Sequence, residues 1–164
     1  TSQADLRAIV AKLREEIPDI CLRTTLISGF PGETQEDHEE LMAFVDEMEF
    51  DRLGVFPYSH EEDTYCDKHY QDDVSEETKN KRAEKLMALQ EGVVAALNES
   101  CVGKRFWVLI DRVEGDYFVG RTQYDSPEVD QEVFVTSEKA LQIGEFYEVL
   151  ITEAGQFELY AKCE

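Results

Sequence analysis

The sequence is poor in positive charge. It has 16 Lys and Arg against 37 Asp and Glu, which gives its 164 residues a formal net charge of −21. Non-specific nucleic-acid binding depends on Lys and Arg that neutralise phosphates, so this charge disfavours strong nucleic-acid binding by the chain as a whole. A basic protein is the partner that the charge favours.

The sequence also lacks long apolar runs and closely spaced cysteines. No stretch approaches the roughly 18 to 20 apolar residues of a membrane span, and the first residues form neither a basic nor an apolar signal segment. The four cysteines are widely scattered, and no two have C-x-x-C spacing. We therefore expect a cytoplasmic protein with reduced thiols and no membrane partner.

Helices and strands alternate in the first part of the chain. Apolar spacing predicts a helix from about Ser2 to Glu16 and a second helix that begins at Thr34, with Asp37 completing its cap. Residues 21–30 and 53–58 read as strands, and the first has the apolar, β-branched composition of a strand buried on both faces of a parallel sheet.

This alternation is typical of a βα barrel, which needs about eight strands. We infer that the chain begins partway through a larger domain. Its open strands are then expected to be poorly ordered or covered by self-association with another copy.

The pattern changes twice farther along the chain. Residues 59–74 are polar and acidic and are predicted to form an exposed, mobile connection, after which Ser75 caps a long helix to about Asn98. A period-two pattern then predicts five strands, at residues 106–113, 117–122, 132–135, 146–152 and 156–162. We expect a five-stranded antiparallel OB-like barrel, and thus an α/β part (1–73), a linking helix (74–100) and an all-β domain (101–164).

The run Gly29-Phe30-Pro31-Gly32-Glu33-Thr34 follows the first strand. Barrel enzymes bind ligands at the carboxyl ends of their strands, where glycines let the backbone approach closely. A tight strand-to-helix turn explains the same residues equally well. His38, near the helix start, is expected at the surface.

Three residues of the acidic connection, His60, Cys66 and His69, have ligand-like spacing. Adventitious metal binding there is one interpretation. A solvated loop is favoured, because a closed zinc site needs four ligands.

Two further segments, residues 50–59 and 120–130, join the glycine-rich run in a wider resemblance. Together they resemble the radical S-adenosylmethionine (SAM) methylthiotransferases, and in particular the branch that modifies a ribosomal protein. The resemblance implies the last α/β units of a radical-SAM barrel of the TIM type, a linking helix and a TRAM barrel. It also implies an enzyme that adds a methylthio group to the β-carbon of an aspartate in the twelfth small-subunit ribosomal protein.

The resemblance implies SAM and two 4Fe-4S clusters in the full-length protein. The C-x-x-x-C-x-x-C loop that holds the cleaving cluster does not occur in this chain, so we expect this chain alone to be inactive, with no catalytic residue, no metal ligand and no bound cofactor. The residues that the resemblance assigns to SAM are Ile27, Gly29, Phe30, Pro31, Gly32 and Glu33, with Arg23 and Thr25 as weaker candidates. Phe56 and Tyr58 are further candidates, although packing is the favoured interpretation of Phe56.

The barrel segment is itself acidic, with six Lys and Arg against thirteen Asp and Glu in residues 101–164. This balance of charge disfavours RNA binding and favours a basic protein substrate. The substrate contacts implied by the resemblance are Arg121, Tyr124, Asp125, Glu128 and Asp130; alternatively, residues 125–127 simply form a turn. Two other functions stay open, a tRNA adenosine methylthiotransferase and a non-catalytic β-barrel adaptor.

Overall fold

Two units make up the chain, and the division between them falls inside one long helix. The structure is a computed structural model that describes residues 2–164. The first unit ends at Val93 and the second spans Val94–Glu164. The first part contains α1 (Gln3–Glu16), β1 (Arg23–Ser28), α2 (Gln35–Met48), β2 (Arg52–Pro57) and α3 (Tyr65–His69), and α4 (Glu76–Cys101) contains the division. Among the described residues, no helix combines the length and the hydropathy needed to cross a bilayer.

Reciprocal caps start the first two helices where the sequence predicts. The Ser2 and Thr34 hydroxyls accept hydrogen bonds from the backbone N–H groups of Asp5 and Asp37, and each Asp side chain accepts from the cap N–H in return. Each cap satisfies two backbone donors that the helix itself leaves without partners. At the other end of α2, the Arg14 guanidinium donates to the Met48 carbonyl at 2.6 Å, which ties α1 to α2.

The two strands of the first unit form a parallel pair, from Arg23 beside Arg52 to Ser28 beside Pro57. One face packs on a core that contains Phe44, Met48, Phe50, Leu22 and Leu53. The prediction that β1 is buried on both faces is wrong in this chain. Its residues alternate between exposed and half-buried, with Ser28 fully buried, because α1 and α2 supply that core on one face only.

Two other local predictions need correction. The connection at 59–74 contains the short helix α3, which begins where the Thr64 hydroxyl accepts from the Asp67 N–H. His38 is not a surface residue, since only 2% of it is exposed. It precedes Leu41 by three positions and Val45 by seven, so the helical repeat puts it on the inward face of α2.

The second unit contains the closed barrel that the sequence predicts. Its strands are β3 (Arg105–Glu114), β4 (Tyr117–Arg121), β5 (Glu132–Ser137), β6 (Phe146–Ala154) and β7 (Glu158–Cys163), arranged in the order β3-β4-β5-β7-β6. The inward-facing side chains form one core, with Val108, Ile110, Val133, Val135 and Val149 fully buried. The barrel is mixed rather than wholly antiparallel, because β5 and β7 run parallel. A period-two pattern fixes the inward face of a strand but not the direction of its neighbour.

Candidate functional site

The glycine-rich run forms a tight turn at the carboxyl end of β1. The Glu33 N–H donates to the Phe30 carbonyl at 2.9 Å, and Gly32 has a φ of 83°. Proline at the second position and a left-handed glycine at the third are the pattern of a type II turn. The same residues therefore make the turn and bring the backbone to the edge of the parallel strands.

Gly29 lets this edge lie directly against α4. Its φ is 76°, and a Cβ added there would stand 2.3 Å from Lys79 Cγ and 3.1 Å from Lys79 Cα. The buried Ser28 hydroxyl donates to the Lys79 carbonyl at 3.4 Å, which adds a polar contact beside this approach. Glycine is required here because a side chain would occupy the space that the helix fills.

The Glu33 carboxylate stabilises the turn through its hydrogen bonds. One oxygen accepts from the Gly29 N–H at 2.8 Å, and the other accepts from Arg82 Nη1 at 2.8 Å. Arg82 also donates to the Glu33 carbonyl, and both side chains are almost buried. The Gly32 N–H donates to Asp73 Oδ1 at 2.8 Å. The side chains that position the turn thus come from α4 and from the segment just before it.

Lys79 is a fully buried cation behind the turn. Its ammonium donates to Asp72 at 2.6 Å and to Glu76 at 2.7 Å, and it lies 5.3 Å from the centre of the Tyr58 ring. Burial lowers the pKa of Lys79, but the two carboxylates outweigh that effect, so the pKa lies above its ordinary value. The lysine therefore remains charged, and its ion pairs hold the start of α4 to the segment that precedes it.

An aromatic group surrounds the end of the strands. The Phe30 ring meets Tyr58 edge-on at 5.2 Å and Tyr70 at 5.9 Å. The Tyr58 hydroxyl lies 3.0 Å from His60 Nδ1. Burial, followed by the neighbouring Cys66, raises the pKa of Tyr58, so its phenol is neutral at physiological pH.

Exposed apolar side chains lie beside this turn. Ile27 and Phe56 are opposite each other on the parallel strands and are 54% and 61% exposed, while Phe30 is 39% exposed. Arg23 and Thr25 are exposed on the same face of β1 as Ile27. The flat rings of Phe30 and Phe56, with the apolar Ile27 opposite Phe56, suit a purine ring at the carboxyl ends of parallel strands. The residues present therefore fit a nucleoside such as that of SAM.

The residues assigned to SAM therefore divide into two groups. Exposed side chains are available for contact, whereas Gly29 and Glu33 are used inside the protein. Sequence reasoning missed Lys79, Arg82 and Asp73, which position the turn although they lie 41 or more residues away along the chain. The available signal was a Lys and an Arg three positions apart on the apolar face of a helix.

The sequence makes His60, Cys66 and His69 candidate metal ligands. Across residues 2–164, no group of three or more His, Cys, Asp and Glu side chains is arranged to hold a metal ion. His60 Nε2 lies 3.3 Å from Asp67, and His69 Nδ1 lies 2.8 Å from the Tyr65 carbonyl. The described residues do not fit an iron–sulfur cluster, so we assign no chemical step to one here.

The loop after β4 uses two of its carboxylates to hold its own shape. Asp125 is buried and accepts from the Thr122 hydroxyl at 2.5 Å, and Asp130 accepts from the Ser126 N–H at 2.7 Å. Glu128, between them, is exposed and has a φ of 62°. Asp125 ends one turn, in which its N–H donates to the Thr122 carbonyl, and Ser126 begins the next, so the predicted turn at 125–127 is divided between two turns.

The other predicted substrate contacts lie near the same loop. Arg121, on β4, donates to Asp111 at 2.8 Å. The Tyr124 ring packs edge-on against Phe106 at 6.5 Å. A binding role for these residues and for Glu128 stays a prediction.

The chain is similar to known proteins over almost all of its length. Residues 102–163 match the TRAM domain. Proteins named ribosomal protein uS12 methylthiotransferase RimO match 98% of the chain in Phocaeicola vulgatus, at 53% identity, and in Porphyromonas gingivalis, at 50% identity. The Christiangramia forsetii protein of that name is 44% identical over 99% of the chain.

These alignments cover only part of each relative. The chain spans 37% of the Phocaeicola protein, 38% of the Porphyromonas protein and 36% of the Christiangramia protein. Identity of this level over both units nevertheless covers the glycine-rich turn as well as the barrel. The chain therefore corresponds in sequence to a part of the RimO proteins, and its residues 102–163 form a TRAM domain.

Proposed function

We propose that the protein containing this chain is a radical SAM enzyme of the cytoplasm that adds a methylthio group to the β-carbon of an aspartate in ribosomal protein uS12. The observation that carries this proposal is the 44–53% identity, over 98–99% of the chain, to proteins named as uS12 methylthiotransferases. SAM and iron–sulfur clusters, when bound, supply the radical chemistry of this family. The described residues contribute binding surfaces to it.

The edge formed by Ile27, Phe30 and Phe56 is our proposed contact surface for SAM. Glu33, Arg82 and Lys79 act as positioning residues, because they fix the turn that carries Phe30. In the full-length enzyme, Phe30→Ala should weaken SAM binding about tenfold, as expected for loss of an aromatic contact of about 1.4 kcal/mol. Phe146→Ala removes another exposed ring, in the other unit, and serves as the matched control. Equal SAM affinity in the two variants would remove Phe30 from the site.

The TRAM barrel is our proposed recognition domain for the protein substrate. Its thirteen acidic residues against six basic ones complement a basic ribosomal protein and repel phosphate backbones. In a competition titration at moderate salt, the chain should bind uS12 in preference to tRNA. A preference for tRNA would overturn the assignment and favour the tRNA-modifying branch of the enzymes.

The isolated chain should carry out no chemistry. After anaerobic reconstitution with iron and sulfide, we expect no iron–sulfur absorbance and no cleavage of SAM, because the chain supplies no three-thiol loop. Stoichiometric iron bound by this chain would contradict the proposal.

A further inference from the structure

A groove runs along the outer surface of the barrel between β5 and β7. These parallel strands place Glu132 beside Glu158 and Phe134 beside Tyr160. The alternate residues, such as Val133 and Leu159, point into the core, so the four named side chains all face outward. With Glu128 and Phe157 they line a cavity of about 430 Å³.

The middle of this groove is an aromatic platform. The Phe134 and Tyr160 rings stack with centroids 5.6 Å apart and an interplanar angle of 28°. Tyr117 of β4 supports them edge-on, 5.7 Å from Phe134 and 6.1 Å from Tyr160. Burial and the nearby Glu158 raise the pKa of Tyr160, so the ring stays neutral. The faces of such rings attract cations, and a guanidinium can stack on them.

Two carboxylates beside the platform, those of Glu128 and Glu158, have no cationic partner among the described residues. Like charges opposite each other on neighbouring strands destabilise a sheet. Arg112 reduces the repulsion between Glu132 and Glu158 by pairing with Glu132 alone, with an Nη2 to Oε2 distance of 2.9 Å. Glu158 accepts from the Phe157 N–H at 3.3 Å and from the Tyr160 hydroxyl at 3.4 Å. Within residues 2–164, neither Glu158 nor Glu128 forms an ion pair. The groove therefore combines stacked rings with negative charge that the barrel itself leaves uncompensated.

We propose that this groove binds an arginine side chain of a basic protein segment, with the guanidinium stacked on Phe134 and Tyr160 and paired with Glu158 and Glu128. Arginine suits the groove better than lysine, because its planar fork can stack and donate to carboxylates at the same time. The inference rests on the proposed recognition of a basic protein by this barrel and names where that recognition occurs.

The test is a titration of the ¹⁵N-labelled chain with uS12 and, separately, with a short peptide of alternating Gly and Arg. Glu128→Gln/Glu158→Gln should weaken both interactions about tenfold, the size expected for losing hydrogen bonds between charged groups. The matched control, Glu138→Gln/Glu145→Gln, removes the same charge from exposed sites outside the groove and should change the affinity less than twofold. Tyr160→Phe should retain binding and Tyr160→Leu should lose it, because stacking needs the ring.

The outcomes separate this inference from the proposed function. If uS12 binds and the two charge variants lose affinity equally, the groove is wrong and recognition lies elsewhere on the barrel. If uS12 fails to bind, the proposed recognition of uS12 by the barrel is wrong, and the peptide titration tests the groove independently. Shifts of the Phe134, Glu158 and Tyr160 amides with the Arg peptide, but not with its citrulline counterpart, support the inference. Equal shifts with both peptides, or with neither, overturn it.

Discussion

Replacing Gly29 with alanine tests whether the strand edge depends on its contact with α4. At a φ of 76° an alanine costs about 1–2 kcal/mol because of its left-handed backbone. Its Cβ would also stand 2.3, 2.9 and 3.1 Å from Lys79 Cγ, Cβ and Cα. Two of these atoms lie at or next to the backbone, so rotating the side chain cannot relieve the overlap, and crowding of this kind adds about 1–3 kcal/mol. We expect a total loss of about 2–5 kcal/mol.

Gly32→Ala is the matched control. Gly32 has a similar φ of 83°, but no atom lies within 4 Å of an added Cβ. It should therefore lose only the backbone contribution, about 1–2 kcal/mol. Urea unfolding followed by circular dichroism at 222 nm measures both values, while Trp107, the chain's one tryptophan, reports on the barrel by fluorescence. Equal losses in the two variants would refute the close approach of turn and helix.

Three further predictions concern ionisable groups. Lys79→Met should lower the free energy of unfolding by about 1–3 kcal/mol, because it leaves the partly buried Asp72 without its cation; Lys81→Met, at an exposed pair, should cost less than about 0.5 kcal/mol. The hydrogen bond from Arg112 lowers the pKa of Glu132, so its contribution to stability is present above pH 4.5 and is lost as the pH falls through the folded-state pKa. Urea unfolding at a series of pH values should show Glu132→Gln less stable than wild type at pH 7 and equal to it in acid; a constant difference would contradict this. Burial lowers the pKa of His38, whose ring nitrogens both lack partners, so the unfolded chain takes up the proton first and stability falls as the pH drops below 6.5. His38→Leu should reduce that fall, and an identical pH profile would show that His38 is not its source.

Local patterns predicted most of the secondary structure. The capping boxes at Ser2 and Thr34 and the alternation in the barrel strands depend on residues a few positions apart, so the sequence displays them directly. The same patterns misplaced His38. A single polar residue on an apolar helix face reads as exposed until the packing partners are known.

The candidate site was only partly accessible to sequence reasoning. The turn at residues 29–34 could be located, because proline and glycine order identifies its type. The residues that support the turn could not be predicted, because Lys79 and Arg82 lie some fifty positions away and contact it only once α4 is in place. The pairing of Glu132 with Glu158 was equally hidden, because strand direction in a barrel is set by chain crossovers.

The amino-acid sequence by itself determined which side chains of the barrel strands turn inward, where helices begin and how acidic the barrel is. These properties depend on short-range periodicity and on composition. The tertiary structure alone decided that β5 and β7 run parallel, that Lys79 is buried beneath the turn and that Phe134 stacks on Tyr160. Each of these joins residues distant along the chain, and contacts of that kind follow from how the whole chain packs.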